Sequence, residues 1–493
     1  MTKRFSPIPI ALALLVSAAF AAPAVLAQST PAKSKQAAVS PSGVQKIILS
    51  TGIKDGKMVF LDEKGQANPT LKARVGDTLE IRISSGEGAQ HDIVFPELNV
   101  ASAKFDKSTG ATTVRFKVAR GGTFEYYCTI AGHRQVGMEG KLEVAGASAA
   151  TGPSSAPKGA AAAPRPFIDY SDTTPAAKAL PAVSVAMDPN AVPAPIGKRP
   201  AQTVKYRIET VELVGKLDDG TSFTYWTFDK RVPGPMLRVK AGDTVEFTLA
   251  NSKTSKMIHS IDFHATTGPG GGAAFLQVPP GSEKTISFKA LNPGLFVYHC
   301  ATPSVPEHIS AGMYGMILVE PEGGLPRVDK EFYVMQGDIY TKHKNGTKGH
   351  QPFDHDKLAA EMPDYYVFNG AVGALTKEHK METKVGETVR IYFGVGGPNK
   401  ISSFHVIGEI FDRVYTEAST SAPRENVQTT TVPPGGAAIV EFKVDYPGKY
   451  VLVDHALSRA GKGLLGILEV VGTADPAVYR DHGVSPKDPS MAH

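Results

Sequence analysis

Cysteine is scarce in this chain of 493 residues, which contains only Cys128 and Cys300. A framework of disulfides is therefore excluded. An excess of one charge is also lacking, because 53 Lys and Arg against 48 Asp and Glu leave a formal net charge of only +5. That charge is too weak for a nucleic-acid-binding surface. Beyond the N-terminus no segment approaches the roughly 18 uncharged apolar residues of a membrane-spanning helix. We expect no nucleic-acid partner and no membrane span in the mature protein.

Tryptophan occurs once, as Trp226, whereas glycine (49 residues) and proline (37 residues) are abundant. This balance favours many turns, and an all-β chain over a helical one. Hydrophobic residues make up 42% of the chain, which suffices for packed cores and excludes a largely disordered protein. The length predicts roughly three domains.

A targeting signal is predicted at the N-terminus. Lys3 and Arg4 precede an apolar run over residues 8–20, and small residues follow up to Ala27. This pattern is typical of a secretory signal peptide, here residues 1–27. A membrane anchor is the alternative, but prolines interrupt a run that is too short to span a bilayer. The mature protein is therefore expected in an oxidising compartment, where two thiols often pair.

Two sequence segments recur three times along the chain. The first is a turn that precedes alternating apolar residues, at Val75-Gly-Asp-Thr78, Ala241-Gly-Asp-Thr244 and Val385-Gly-Glu-Thr388. The second starts with glycine and continues with aromatic or aliphatic residues, at 122–128, 294–300 and 448–454. Alternation with period two predicts strands with one buried face. The repeats therefore predict an all-β fold of three tandem β-sandwich domains.

The repeats and the composition also predict the domain boundaries. The proposed segments are a first sandwich (40–146), a linker (147–199), a second sandwich (200–322), a third sandwich (325–475) and a C-terminal tail (476–493). The linker is rich in Ala and Pro, as in extended and poorly packing tethers. We therefore interpret the first domain as the appended one.

The first domain contains Cys128, His133 and Met138 within one short segment, with His91 upstream. A thiolate, two imidazoles and a weak axial thioether are the ligands of a blue-copper site. A buried structural thiol or half of a disulfide is the alternative for Cys128 alone. The spacing of the three donors favours copper.

The second domain repeats the same donors as Cys300, His308 and Met313, with His259 upstream. Both cysteines are then metal ligands, which explains how a secreted protein keeps two unpaired thiols. The third domain has Asp454 at the aligned position, so we expect no such copper there.

Two further histidines predict a second kind of metal site. His299 directly precedes Cys300, and adjacent residues of a strand point to opposite faces. His264 lies five residues after His259 and projects outward by the same reasoning. Two imidazoles bind a metal poorly, and His455 or His405 of the third domain is available as a third ligand. A three-histidine copper site keeps an open position for catalysis; hydrogen-bonded surface histidines are the alternative.

The second and third domains resemble copper-containing nitrite reductases. The matching motifs are the segment 259–264, Phe296-Val-Tyr-His-Cys300, Ser403-Phe-His-Val-Ile-Gly408 and Val451-Leu-Val-Asp-His-Ala456. The first domain is similar to plastocyanin- or azurin-type cupredoxins. It precedes the second and third domains in the sequence, as in the three-domain members of the family. The expected fold is therefore three tandem cupredoxin-like Greek-key sandwiches.

The resemblance implies three coppers per chain. The implied ligands are His91, Cys128, His133 and Met138 for one type 1 copper, His259, Cys300, His308 and Met313 for the other, and His264, His299 and His455 for the type 2 copper. His455 would come from a neighbouring subunit of a homotrimer, which could assemble further.

The resemblance also implies the reaction, the one-electron reduction of nitrite to nitric oxide and water in the periplasm. Asp262 and His405 would deliver protons, and Ile407 would cap the substrate pocket. The electron donor would be a small soluble cytochrome c or cupredoxin. The appended domain could relay electrons, assist assembly, or do both.

Two other functions compete with the reductase interpretation. A multicopper oxidase needs paired His-x-His motifs and a His-Cys-His segment, but this chain has no His-x-His, and Ala301 follows Cys300. A non-catalytic electron carrier with two type 1 coppers would not need His264, His299 and His455. Counting the bound copper distinguishes the carrier from the reductase.

Overall fold

Strands dominate the computed structural model, which describes residues 43–54, 57–130, 133–134, 137–146, 180–480 and 482. The predicted all-β class is confirmed. The predicted signal peptide, residues 147–179 of the predicted linker and nearly all of the tail beyond 480 lie outside the described residues. No helix in the described ranges has both the length and the apolar character needed to cross a membrane.

The N-terminal part of the structure is a pair of sheets. Its strands are β1 (Val44–Lys54), β2 (Lys57–Asp62), β3 (Leu71–Arg74), β4 (Thr78–Ser84), β5 (Val94–Phe95), β6 (Val100–Ala101), β7 (Thr112–Lys117), β8 (Gly122–Tyr127) and β9 (Glu139–Ala145). The sheet orders are β2-β1-β4-β7 and β3-β9-β8-β5-β6. The pairs β1–β4 and β3–β9 are parallel. Both sheets enclose one apolar core.

A second pair of sheets follows. Its elements are β10 (Thr203–Asp218), β11 (Thr221–Phe228), β12 (Leu237–Lys240), β13 (Thr244–Asn251), β14 (Asp262–Phe263), β15 (Glu283–Lys289), β16 (Gly294–His299), helix α1 (Val305–Ser310) and β17 (Tyr314–Glu320). The parallel pairs recur as β10–β13 and β12–β17. One sheet has the order β12-β17-β16-β14.

The remaining elements complete a third pair of sheets. They are β18 (Lys330–Ile339), β19 (Gly349–Gln351), helix α2 (His355–Ala359), β20 (Tyr365–Phe368), β21 (Met381–Lys384), β22 (Thr388–Val395), β23 (Ser402–Ile407), β24 (Phe411–Tyr415), β25 (Arg424–Val427), β26 (Thr430–Val432), β27 (Ala437–Lys443), β28 (Gly448–Asp454) and β29 (Gly466–Val471). The sheets run β20-β18-β22-β27-β24-β25 and β21-β29-β28-β23-β26, while β19 extends the second domain as β15-β13-β10-β11-β19.

The recurring turn has the same physical basis in all three copies. Its glycine has φ between +90° and +96°, a region in which a side chain is strained. The acidic residue that follows accepts a hydrogen bond from the backbone N–H three residues earlier, at 2.8 Å for Asp77, 2.8 Å for Asp243 and 2.9 Å for Glu387. The turn therefore ends in a fixed geometry that starts β4, β13 and β22.

The second and third sheet pairs share an apolar core. Tyr225, Tyr333 and Tyr392 are fully buried in a cluster to which both contribute. A buried ion network lies beside it, in which Glu331 accepts from both Arg238 and Arg390 at 2.8 Å. A large apolar interface with satisfied charges makes these two sandwiches one structural unit.

The described part of the predicted linker is packed, unlike a poorly packing tether. Val185 is fully buried in the cluster shared by the second and third sandwiches. The segment also forms short bridges, Val183 with Gly215 and Ala186 with Val232. Apolar residues therefore fix residues 180–199 to the core, although this segment still contains four prolines and four alanines.

Candidate metal centres

The four donors predicted in the first domain lie at one end of its sandwich, and all are buried. The His91 and His133 Nδ1 atoms lie 3.2 Å apart, and the Cys128 Sγ is 3.5 Å from the His133 Nδ1. Met138 is held next to them because its N–H donates to the His133 carbonyl at 3.0 Å and its carbonyl accepts from the Cys128 N–H at 3.2 Å.

The second domain repeats this geometry. The His259 and His308 Nδ1 atoms are 3.3 Å apart, and the Cys300 Sγ is 3.3 Å from the His308 Nδ1. Met313 makes the same two backbone hydrogen bonds, to the His308 carbonyl and from the Cys300 N–H, both at 3.1 Å. Helix α1 carries His308, and β16 ends one residue before Cys300. The structure therefore brings together both predicted sets of four residues.

The chemistry of each set fits a soft cation. Imidazole nitrogens and a sulfur face one another at distances that leave space for an ion, and thiolate with imidazole is a ligand set for copper. Burial lowers the pKa of His133 to about 3 and that of His308 to about 4. Both imidazoles are therefore neutral, as metal ligands must be.

The two thiols differ in their surroundings. Burial raises the pKa of Cys128 to about 12. Burial also opposes ionisation of Cys300, but hydrogen bonds from His259 and Thr302 bring its pKa below the usual value. The Ser260 N–H also donates to the Cys300 Sγ at 3.3 Å. The thiolate form of Cys300 is therefore stabilised before any metal binds.

Two carboxylates contact the Nε2 atoms of predicted ligand histidines, and no sequence motif indicated either of them. Glu87 hydrogen-bonds the His91 Nε2, and Glu212 lies 3.2 Å from the His259 Nε2. A carboxylate on the far nitrogen fixes the tautomer of a ligand histidine and aims its other nitrogen at the metal. Glu212 lies on β10, 47 residues before His259, so spacing could not reveal this contact.

The predicted imidazole pair forms on the outer side of β16. The Nε2 atoms of His264 and His299 lie 3.1 Å apart. The His299 Nδ1 lies 3.0 Å from the Cys300 carbonyl and donates to it, so the Nε2 of His299 is an acceptor. Burial and the neighbouring His299 lower the pKa of His264. Asp262 joins the pair in a group of donors within 4.8 Å of one another. These donors fit a metal ion, but the two imidazoles leave part of its coordination open for a further ligand.

The third sandwich holds the remaining predicted residues. His405 lies on β23 with its Nδ1 2.6 Å from the Gln428 carbonyl, and its ring is 5.6 Å from that of His455. Ile407 ends β23. Within the described part of one chain, the donor group around His264 contains neither His405 nor His455. The site residues are therefore divided between two separate groups.

Asp454 takes the place of the thiolate in the third sandwich. It is 2% exposed and pairs with Arg459. Its carboxylate also accepts from the Ser403 and Ala456 N–H groups, at 3.1 and 3.0 Å. This position is therefore occupied by a satisfied buried ion pair.

Comparisons with known proteins identify the family. A copper-containing nitrite reductase of Neisseria meningitidis serogroup A is 57% identical over 288 residues, which cover 58% of this chain and 74% of the relative. The chain belongs to the copper-containing nitrite reductase family. A nitrite reductase of Pseudomonas chlororaphis is 37% identical over 295 residues, covering 56% of this chain and 81% of the relative.

Structures and family models agree with this membership of the nitrite reductase family. The copper nitrite reductase of Nitrosomonas europaea aligns with a TM-score of 0.50 and 36% identity, over 56% of this chain and 96% of that chain. Two family models, both described as multicopper oxidase, match residues 211–324 and 346–472. Both matched ranges lie in the second and third sandwiches, which have the cupredoxin-like fold of these reductases.

Proposed function

We propose that the protein reduces nitrite to nitric oxide and water, consuming one electron and two protons, in the periplasm. The site is the pair His264 and His299 completed by His455 of a neighbouring subunit in a homotrimer. Copper, when bound there, supplies a Lewis acid and a one-electron redox partner for nitrite. With two thiolate centres, each chain would hold three coppers.

The observation that carries this proposal is the outward-facing imidazole pair directly beside a thiolate ligand. His299 and Cys300 are adjacent, so one peptide unit joins the two kinds of centre. Asp262 pairs with His299 across β14 and β16, which holds its carboxylate beside the pair. An electron carrier has no use for this second group of donors.

The chain's own residues supply the protons and shape the pocket. Loss of one oxygen from nitrite requires protonation of that oxygen, and a carboxylate with an imidazole can relay protons near neutral pH. Asp262 lies beside His264 in the second sandwich, and His405 lies beside His455 in the third. In the proposed trimer, these two groups face each other across the contact between two subunits. Ile407 lies on the same strand as His405 and would limit access to the pocket.

Exposed apolar residues support the assembly. Phe275 is 68% and Leu291 55% exposed, and both line one surface cavity with Thr266 and Thr267, which closely follow His264. Leu457 is 51% exposed two residues after His455. Exposed apolar residues near both halves of a divided site favour burial against another subunit.

The decisive experiment is His264→Ala. We expect nitrite turnover to be lost while the visible absorption of both thiolate centres is retained, with copper falling from three to two per chain. Thr224→Val, a surface change on β11, is the matched control. Unchanged nitrite turnover in His264→Ala would refute the assignment, and two coppers in the wild type would favour a carrier.

A further inference from the structure

The N-terminal domain contacts the second domain beside both thiolate centres. A Cβ atom on Gly88 would lie 2.6 Å from the Lys256 carbonyl oxygen and 2.8 Å from the Met257 Sδ. Met257 is 6% exposed and packs in the apolar core of the N-terminal domain, although it belongs to the second domain. We call this junction, formed by Gly88, Lys256 and Met257, the docking contact.

Carboxylates connect the docking contact to both centres. Glu87, adjacent to Gly88, hydrogen-bonds His91. On the other side, the Glu212 Oε1 accepts from the backbone N–H groups of residues 256 and 257 at 2.8 and 2.7 Å, and lies 3.2 Å from the His259 Nε2. A short chain of covalent bonds, hydrogen bonds and one van der Waals contact therefore joins a histidine ligand of one centre to a histidine ligand of the other.

Trp226 lies on the core side of the docking contact. It faces Glu212 in the register of β10 and β11. Its ring is 4.6 Å from the ring of His308 and 5.7 Å from that of His259. It packs against the apolar core of the N-terminal domain as well as that of the second domain. Trp226 therefore touches both ligand histidines of the core centre and the domain that covers them.

The ligand histidines at this junction are closed to solvent. His133 is 0% and His308 1% exposed. Within the described residues, the Nε2 atom of each is buried without a hydrogen-bond partner. An external donor therefore finds no exposed ligand edge on the core centre while the N-terminal domain is docked.

We propose that the docking contact, with Trp226 and Met257 as positioning residues, is where the N-terminal centre passes electrons to the core centre, and that it closes the core centre to external donors. This rests on the proposed function. The step moves one electron: the reduced Cys128 centre is oxidised, the Cys300 centre is reduced, and no bond or proton changes. The electrons come from the soluble donor, which therefore acts on the N-terminal domain.

Trp226→Leu tests the positioning role in the copper-loaded full chain. One electron is introduced by flash photolysis, and its exchange between the centres is followed optically, with the two bands assigned from Cys128→Ala and Cys300→Ala. We expect exchange to slow about tenfold with both absorption bands and both reduction potentials unchanged. Trp226→Phe should restore part of the rate, and Thr224→Val, on the same face of β11, should leave it unchanged.

The outcomes separate the two proposals. Exchange that is equally fast in Trp226→Leu overturns the inference alone. Absence of exchange in the wild type contradicts the relay function of the N-terminal domain. Nitrite turnover measured with an artificial reductant tests the reductase function independently of both.

Gly88→Val tests whether the docked N-terminal domain shields the core centre from external donors, because a valine side chain cannot fit against the Lys256 carbonyl. In a Cys128→Ala background, we expect slow reduction of the core centre by hexaammineruthenium(II), and faster reduction once Gly88→Val is added. The emission of Trp226, the single tryptophan, should shift to longer wavelength as the contact opens. Gly65→Val is the control, because Gly65 also has positive φ but open space around it.

Met257→Lys is a second variant that opens the contact without backbone strain, and it should have the same effect as Gly88→Val. In Cys128→Ala, reduction of the core centre could already be as fast as in the wild type and unaffected by either variant. That result would overturn the proposal that the docked domain closes the core centre to external donors.

Discussion

At the scale of single residues, the grouping of donors at each thiolate centre could be predicted because most of them lie in one short loop. Cys128, His133 and Met138 are local in sequence, so their spacing alone indicates a common site. Glu212 could not be predicted, because it reaches His259 from β10, 47 residues earlier in the chain. Sequence spacing thus indicates which donors lie together, and the fold shows which carboxylates contact them.

The two carboxylates make a residue-scale prediction. Glu212→Gln removes a negative charge that sits on a ligand of the core centre, which makes the more positive, oxidised state less favourable. We expect the reduction potential of that centre alone to rise by a few tens of mV, where about 59 mV is a tenfold change in a one-electron equilibrium.

Glu87→Gln is the reciprocal control for that measurement, since Glu87 serves only the N-terminal centre. Redox titration followed in the visible spectrum measures both potentials. A shift of the same size in both centres from either variant would show that these carboxylates act through the overall charge and not through their own histidines.

At the scale of elements, the recurring segments predicted where strands begin. The turn preceding Thr78, Thr244 and Thr388 starts a strand at each of those residues, and the second repeat starts strands at Gly122, Gly294 and Gly448. Short strands such as β19 (Gly349–Gln351) had no such signal, because a three-residue strand is defined by its partner and not by its own periodicity.

The recurring turn yields an element-scale prediction. Asp243 is 0% exposed and accepts hydrogen bonds from the Lys240 and Gln202 N–H groups while it pairs with Arg199. Within the described residues, the Asp77 carboxylate accepts one such bond, from the Arg74 N–H. We expect Asp243→Ala to lower the free energy of unfolding by about 3 kcal/mol, and Asp77→Ala by about 1 kcal/mol.

Urea unfolding followed by circular dichroism measures both values. Burial opposes ionisation of Asp243, but the Arg199 hydrogen bond and the backbone donors keep its pKa below the usual value. Its contribution is therefore present near neutral pH and is lost as the pH falls through the depressed pKa. Equal losses in the two variants would show that the turn geometry, and not the extra partners of Asp243, sets the stability.

At the scale of the whole molecule, the repeats predicted three sandwiches but not the way two of them join. Tyr333 and Tyr392 lie on the opposite face of their sheet from Phe332 and Ile391, which pack in the core of the third sandwich itself. The second sandwich covers that opposite face, and the period-two pattern of one strand cannot identify such a partner. For the same reason the packing of Val185 against this shared core was missed.

The division of the site between two groups of residues makes the last prediction. His264 and His299 lie in the second sandwich, and His455 lies beside His405 in the third. If each site combines the first group of one subunit with the second group of its neighbour, chains carrying His264→Ala and chains carrying His455→Ala are each inactive. Trimers assembled from both should contain some interfaces with all three histidines intact, and nitrite turnover should reappear once the two variants have exchanged subunits.

The experiment refolds the two variants together and measures turnover and copper after removal of free metal. Mixing without subunit exchange is the control, because intact homotrimers cannot form a complete site. Recovery only after exchange supports a site shared between subunits. Full activity of His455→Ala on its own would mean that the second sandwich completes the site from within one chain, and the exposed apolar residues Phe275 and Leu291 would then need another partner.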